Sequence, residues 1–206
     1  MSPAWWESAC AELSARDRGM ESLIARFPDS RLTTRGAPYE TLLRAIVGQQ
    51  ISTRAADAIW ARVVATAGAI TPEAVQAAGV DALRVAGLSQ RKAEYVLEMS
   101  AQVADGRLDP PRLAELDDQA LLELLTGLRG IGRWTAEMFL IFNLNRPDVW
   151  PIDDIGIKKA LVQQGWAPSL ELPRRQWDEL GERWRPWRTV VSWYLWRSLD
   201  PVDIVY

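Results

Sequence analysis

"LRGIGRWT" (128–135) sets two glycines around one isoleucine at the mouth of an apolar helix. Upstream, Asp117-Asp118 opens "DDQALLELLTG", which predicts a helix over 118–126 that stops at Gly127. Downstream, the apolar residues after Arg133 predict a second helix over 133–143. Glycine permits positive φ and puts no Cβ in the way of an approaching group. Gly130 and Gly132 therefore leave the amides around them, and that of Trp134, facing outward at a helix N-terminus. Partial positive charge gathers there, and a phosphate is a natural guest. Leu128 and Ile131 read as the apolar pegs joining the two helices. A plain corner between helices is the competing reading, and a single glycine would favour it. The full run L-x-G-I-G-x-x-T-A, through Ala136, favours the docking turn.

Elsewhere the periodicity is helical almost throughout. From Tyr39, the apolar residues Leu42, Leu43, Ile46 and Val47 recur at three- and four-residue spacing. Ala55, Ala58, Ile59 and Val63 continue a second stripe after a cap at Ser52-Thr53. Thr71-Pro72-Glu73 reads as a cap, a first-turn proline and an acid matched to the helix dipole. Ser89 opens a helix with Tyr95, Val96 and Met99 on one face and Gly106 as its stop. No alternating Val/Ile/Thr run asks for a sheet, and the clusters at 107–111 and 145–151 are connectors. The expectation is an all-α fold of two helical subdomains. One covers 38–150 and carries the hairpin 118–143; the other joins 1–37 to 151–206.

The 206 residues are 48% apolar, enough for a core. Cys10 is the only cysteine and histidine is absent. That excludes intrachain disulfides, cysteine-held iron–sulfur clusters and serine–histidine triads. Acid–base work must fall to carboxylates, Lys or Tyr. The opening "MSPAWWESAC" lacks the shape of a signal peptide, and no run reaches a membrane-spanning length. A cytoplasmic protein with no membrane partner is expected. The net charge of −3 gives no general attraction to nucleic acid. Residues 172–197, however, are rich in arginine against only Asp178, Glu179 and Glu182. That stretch reads either as a local phosphate-binding face or as a solvated helix face.

The two-helix turn resembles the helix–hairpin–helix pattern, which implies binding to a DNA backbone without reading its sequence. Downstream of it, "VWPIDDIGIKKAL" (149–161) sets two carboxylates after a proline, at the start of a helix. Either aspartate could serve as a cap alone. A carboxylate there could also face the sugar of a bound nucleotide. Rupture of an N-glycosidic bond develops oxocarbenium charge, which a carboxylate stabilises while orienting the attacking water. One aspartate can do both.

Hairpin, proline-bearing connector and aspartate together resemble the helix–hairpin–helix superfamily of base-excision DNA glycosylases. The blocks "YETLLRAIVGQQIS" (39–52), "LRGIGRWTAEMFLIF" (128–142) with "DVWPIDDIGIKKAL" (148–161), and "ERWRPWRTVVSWYLW" (182–196) carry the likeness. They are most similar to the alkylation-repair branch, DNA-3-methyladenine glycosylase II. The resemblance implies an active-site cleft between the subdomains, with Asp154 catalytic and Asp153 a neighbour or cap. It implies DNA docking by Gly130, Gly132, Arg133 and Thr135. It also implies a minor-groove loop with Gln49, Gln50 and Ser52, of which Gln50 is the wedge. Bifunctional relatives carry a lysine where this chain has Trp134, so base excision without strand cleavage is implied. No cofactor is required; backbone carbonyls of Thr126, Leu128 and Ile131 would hold an optional Na+ or K+. The 38 residues before the first block are too few for the mixed α/β N-terminal domain of the best-known bacterial form, so a compact version is expected.

Of the eleven tryptophans, Trp5, Trp6, Trp60, Trp166 and Trp177 are expected in the core. The resemblance places Trp134 and Trp196 on the walls of a base pocket, with Met138 either completing that wall or packing in the core. Indole faces attract a cationic purine such as 3-methyladenine or 7-methylguanine by stacking and cation–π contact. Neutral ethenoadenine and hypoxanthine stay open as further substrates. The expected partner is double-stranded DNA containing alkylated bases, bound by a monomer with the target nucleotide flipped out. Two rivals remain: a hairpin module that docks DNA without catalysis, and a superfamily enzyme with another target. The absent cysteine cluster counts against the adenine-mismatch and oxidised-pyrimidine branches, and the absent lysine against the lyases.

Overall fold

The computed structural model describes residues 2–34 and 36–199, and among these every regular element is helical. In chain order they are α1 (Trp6–Arg16), α2 (Arg18–Ala25), α3 (Pro38–Gly48), α4 (Thr53–Ala67), α5 (Pro72–Val85) and α6 (Gln90–Ala104). Then come α7 (Asp118–Thr126), α8 (Arg133–Phe142), α9 (Ile155–Gln163), α10 (Arg174–Glu182) and α11 (Arg188–Leu199). A 3₁₀ helix, Pro110–Glu115, occupies part of the connector before α7.

The chain forms two compact units. One holds α1, α2 and the chain from Leu140 onward; the other holds α3 to α7 and α8 as far as Phe139. The division thus falls within α8 rather than near residue 150. Trp150 accounts for much of the difference. It packs on Trp184 with ring centroids 5.5 Å apart and donates its indole N–H to the Trp177 carbonyl at 3.0 Å, both partners in the first unit. Residues 1 and 206, the outer limits of the expected ranges, lie outside the described residues.

In the second unit, Pro38 at the start of α3 supplies a preset φ, and Leu42, Leu43, Ile46 and Val47 are fully buried behind it. Burying each such side chain contributes roughly 1.5–3 kcal/mol. Ser52, Thr71, Ser89 and Asp117 cap α4, α5, α6 and α7 by accepting the N–H of the residue three positions on. Each cap is worth about 1 kcal/mol. The expected stripe on α4 is rotated: Ala58 is exposed, and Trp60 with Val63 forms the buried edge. On α6 the core face is Ala93, Val96, Met99 and Ser100, while Tyr95 lies half-buried to one side.

In the first unit, α11 is buried on all sides from Thr189 to Arg197, and its buried hydroxyls, Thr189 and Ser192, donate to the Arg146 and Arg188 carbonyls. Trp6 and Trp177 are buried as expected, whereas Trp5 and Trp166 are half-buried. Trp166 and Trp150 both lean on Trp184. Trp60 and Trp134 belong to the second unit; the remaining tryptophans belong to this one.

The arginine-rich stretch is not an open phosphate face. Arg188 grips Asp148 through Nε at 2.6 Å and Nη2 at 3.0 Å, and Arg185 pairs with the same carboxylate and with Glu182. Arg174 pairs with Asp153 and Asp178, and Arg175 with Glu179. Arg183 lies 4.0 Å over the Trp184 ring. Acids distant in sequence, Asp148 and Asp153, supply much of the neutralisation, which a window over 172–197 does not contain.

Candidate functional site

Two groups of expected residues take shape, one in each unit. In the second unit, α7 ends at Thr126 and the chain turns through Leu128 to Gly132 into α8. Leu128 and Ile131 are buried, and the Ile131 N–H donates to the Leu128 carbonyl at 3.1 Å. Gly130 has φ +86°, and any side chain there would run into the ring of Tyr95. Gly132 differs from expectation because it keeps out of the left-handed region. Its use is openness: nothing lies within 4 Å of where its Cβ would stand. Its carbonyl accepts the Ala136 N–H at 3.0 Å, which makes Gly132 the N-cap of α8, a cap with no side chain. The first-turn amides of α8 therefore receive no capping oxygen from that residue.

Arg133 is exposed and spans to Glu137, whose carboxylate is buried, at 2.9 Å. Thr135, expected against DNA, is only 4% exposed, and its hydroxyl accepts the Gln49 amide Nε2–H at 3.3 Å. Its side chain faces inward from the first turn of α8, against the loop. Gln49 also donates Nε2–H to the Gly130 carbonyl at 2.7 Å, so its side chain serves the hairpin. Gln50, next in line, is exposed with φ +59°. Ser52 is exposed and spends its hydroxyl on the Ala55 N–H. On α8, Trp134 is half-buried, and Met138, one turn on, is buried along the same face.

The first unit holds the carboxylates. Asp154 is 9% exposed and is the N-cap of α9; its Oδ1 accepts the Ile157 N–H at 3.0 Å and the Trp196 indole N–H at 3.2 Å. Trp196 is buried, and its ring stacks on Phe142 at 5.8 Å and 25°. The edge that carries the indole nitrogen, rather than an exposed face, is thus what Trp196 presents to Asp154. Asp153 is not the cap. It is partly exposed, and its Oδ1 is held by Arg174 Nη1 at 2.6 Å. Adjacent in sequence, the two carboxylates have different partners: Asp154 has neutral N–H donors, Asp153 a guanidinium.

Gly156 was not among the expected site residues. A Cβ there would stand 2.8 Å from Asp154 Oδ1 and 3.5 Å from the Trp196 ring. The sequence did carry a signal for it, since glycine inside a helix costs about 1 kcal/mol relative to alanine and so marks a close approach. Lys92 and Tyr95, which support the loop and the turn, gave no such signal.

Comparison with known proteins identifies the family. The family described as HhH-GPD superfamily base excision DNA repair protein matches residues 43–186. DNA-3-methyladenine glycosylase 1 of Schizosaccharomyces pombe is 34% identical over 186 residues, covering 88% of this chain and 81% of the relative. A solved structure of a 3-methyladenine DNA glycosylase from that yeast, in complex with abasic DNA, superposes with a TM-score of 0.81 at 31% identity. The match covers 97% of this chain and all of the other. A DNA-3-methyladenine glycosidase from Bacillus halodurans gives a TM-score of 0.80 at 33% identity, over 91% of this chain and 87% of that one.

Proposed function

The chain belongs to the HhH-GPD superfamily of base excision DNA repair proteins, and from that premise we propose that it excises alkylated purines from double-stranded DNA. It is a DNA glycosylase of the alkylbase kind and hydrolyses the N-glycosidic bond to begin base excision repair. The observation that carries the reading is Asp154, a buried carboxylate held by two N–H donors just after the hairpin and its connector. Fixed N–H partners hold the carboxylate in place before substrate arrives, so little reorganisation is needed as oxocarbenium charge develops. Asp154 orients the attacking water and stabilises the sugar cation, while Asp153, engaged by Arg174, stands aside.

The substrates proposed are 3-methyladenine and 7-methylguanine. Both are cationic, and half-buried Trp134 offers an aromatic surface to such a ring, with Met138 buried one turn on. Trp134 stands where a lyase needs an amine, so the product is an intact strand with an abasic site. Carbonyl oxygens of Thr126, Leu128 and Ile131 are neutral, hard donors that suit Na+ or K+, and the Leu128 carbonyl keeps a second lone pair beside its bond to Ile131. A cation there would offset phosphate charge at the turn. The chain works as a monomer in the cytoplasm; no helix among the described residues is long and apolar enough to cross a membrane.

The test is to incubate the protein with methylated DNA and separate the released bases by chromatography. Release of 3-methyladenine with no strand break before alkali is expected. Binding without release would support the docking-module alternative, and a covalent adduct trapped by borohydride would contradict the hydrolytic mechanism.

A further inference from the structure

Three residues one turn apart on α6, Lys92, Tyr95 and Glu98, touch both the loop 49–52 and the hairpin turn, the segments that the likeness to the glycosylase family assigns to DNA. Lys92 Nζ donates to the Val47 carbonyl at 2.8 Å and to the Gln49 carbonyl at 2.7 Å. These carbonyls end α3, where backbone acceptors lack helical partners and the dipole favours a cation. Tyr95 lies with its ring against Gly130, filling the space a Cβ would need. Arg129 sits over the same ring at 5.4 Å and pairs with Glu98 at 2.9 Å. Gln49 closes the circuit by donating to the Gly130 carbonyl at 2.7 Å.

We infer that this face of α6 is a positioning ridge that fixes the loop 49–52 and the hairpin turn as a single DNA-docking surface. The inference rests on the proposed function for its DNA substrate, and on the family likeness for taking those two segments to be the ones that meet it. The backbone of Gln50 supports it. A glutamine at φ +59° is strained by the order of 1 kcal/mol and persists only where its surroundings hold it. Here the preceding carbonyl is pinned by Lys92 and the hydroxyl of Ser52 is committed to α4, so Gln50 projects from a short span fixed at both ends. Burial holds the Lys92 ammonium somewhat below the usual lysine range, which is consistent with its being aimed inward. Lys92 acts through the loop and is a positioning residue.

The test uses the full chain and two duplexes, one undamaged and one carrying a tetrahydrofuran abasic analogue. Lys92→Met keeps the aliphatic stem and removes both bonds. Its affinity for undamaged duplex should stay within about twofold of wild type, because Tyr95 still carries the hairpin. Its preference for the abasic analogue, which requires the loop to enter the gap, should fall by about tenfold. Hydrogen exchange should quicken at the amides of residues 50–52 and not in α7 or α8. Lys92→Arg, which can donate to both carbonyls, should recover at least part of the preference. Should Lys92→Met fail to fold, Lys92→Gln supports the same comparison. A wild-type preference for the abasic analogue in a folded Lys92→Met or Lys92→Gln overturns the inference. Neither readout involves base release. A wild-type chain that prefers the analogue yet frees no alkylated base would defeat the proposed function and leave this inference standing.

Discussion

Two helix N-termini in this chain meet the same physics with opposite answers. At α8 the capping position is Gly132, with no side chain and nothing within 4 Å of its missing Cβ. At α9 the capping position is Asp154, whose carboxylate fills the end of the helix. Both ends carry partial positive charge. The first receives no side chain from its own capping residue, whereas the second is satisfied by an anion of the protein's own. Under the proposed function, a glycine and an aspartate at equivalent helix positions would separate docking from chemistry, and each can be tested by making one end resemble the other.

The largest effect should come from emptying the second end of its charge. Asp154→Asn keeps an oxygen for the Ile157 N–H, so the helix should lose no more than about 1 kcal/mol. Excision of 3-methyladenine, followed in single turnover, should fall on the order of 10²-fold or more. DNA affinity should persist. An active Asp154→Asn would end the assignment.

Next comes filling the first end. Gly132→Asp puts a carboxylate on the open side of the turn, where it can cap α8 but repel phosphate. Affinity for undamaged duplex should drop by about tenfold at low salt, with the gap narrowing as salt rises. Thermal stability should hold or increase slightly. Anisotropy titrations over a salt series check both arms, and unchanged affinity in a folded sample removes the hairpin from DNA docking.

Trp196→Phe sharpens the contrast by removing one N–H from Asp154 while keeping an aromatic ring against Phe142. A hydrogen bond to a charged group contributes about 1.5–3 kcal/mol, so excision should slow by roughly tenfold or somewhat more. Since the bond acts on the carboxylate, the loss should be alike for cationic 3-methyladenine and neutral hypoxanthine, if the latter is a substrate. A loss confined to the cationic base would support Trp196 as part of the pocket wall. Smallest of all is Asp153→Asn, which breaks an exposed pair with Arg174 and should leave the excision rate within about twofold. Equal losses in the two aspartate variants would unseat the choice between them.

Much of this contrast was legible in the sequence, and the boundary of legibility has a physical cause. The turn between α7 and α8, the caps at Ser52, Thr71, Ser89 and Asp117, and Asp154 at the head of a helix are local patterns, set within four residues. They appear where expected. What depends on distant partners was not legible. Trp196 lies forty-two positions beyond Asp154, and nothing in "WYLWR" says which edge of the indole will meet it. Nothing near Thr135 says that its hydroxyl will meet Gln49, eighty-six positions earlier. The arginines of residues 172–197 read equally as a phosphate-binding or a solvated face until Asp148 and Asp153 are seen to reach them. Periodicity assigns a residue to a face; it does not name what lies across from that face.

The uneven placement of tryptophan has a spectroscopic consequence. Only Trp60 and Trp134 sit in the unit that carries the hairpin, while the ring pairs Trp150–Trp184, Trp166–Trp184 and Trp5–Trp187 all lie in the unit that carries Asp154. Rings at 5–6 Å exchange excitation, so the protein's intrinsic emission is weighted towards one unit. A denaturation curve recorded by fluorescence will chiefly follow the melting of that unit, whereas far-ultraviolet circular dichroism follows the helices of both. If the two curves coincide, the units melt together; if they separate, the order of separation shows which unit gives way first.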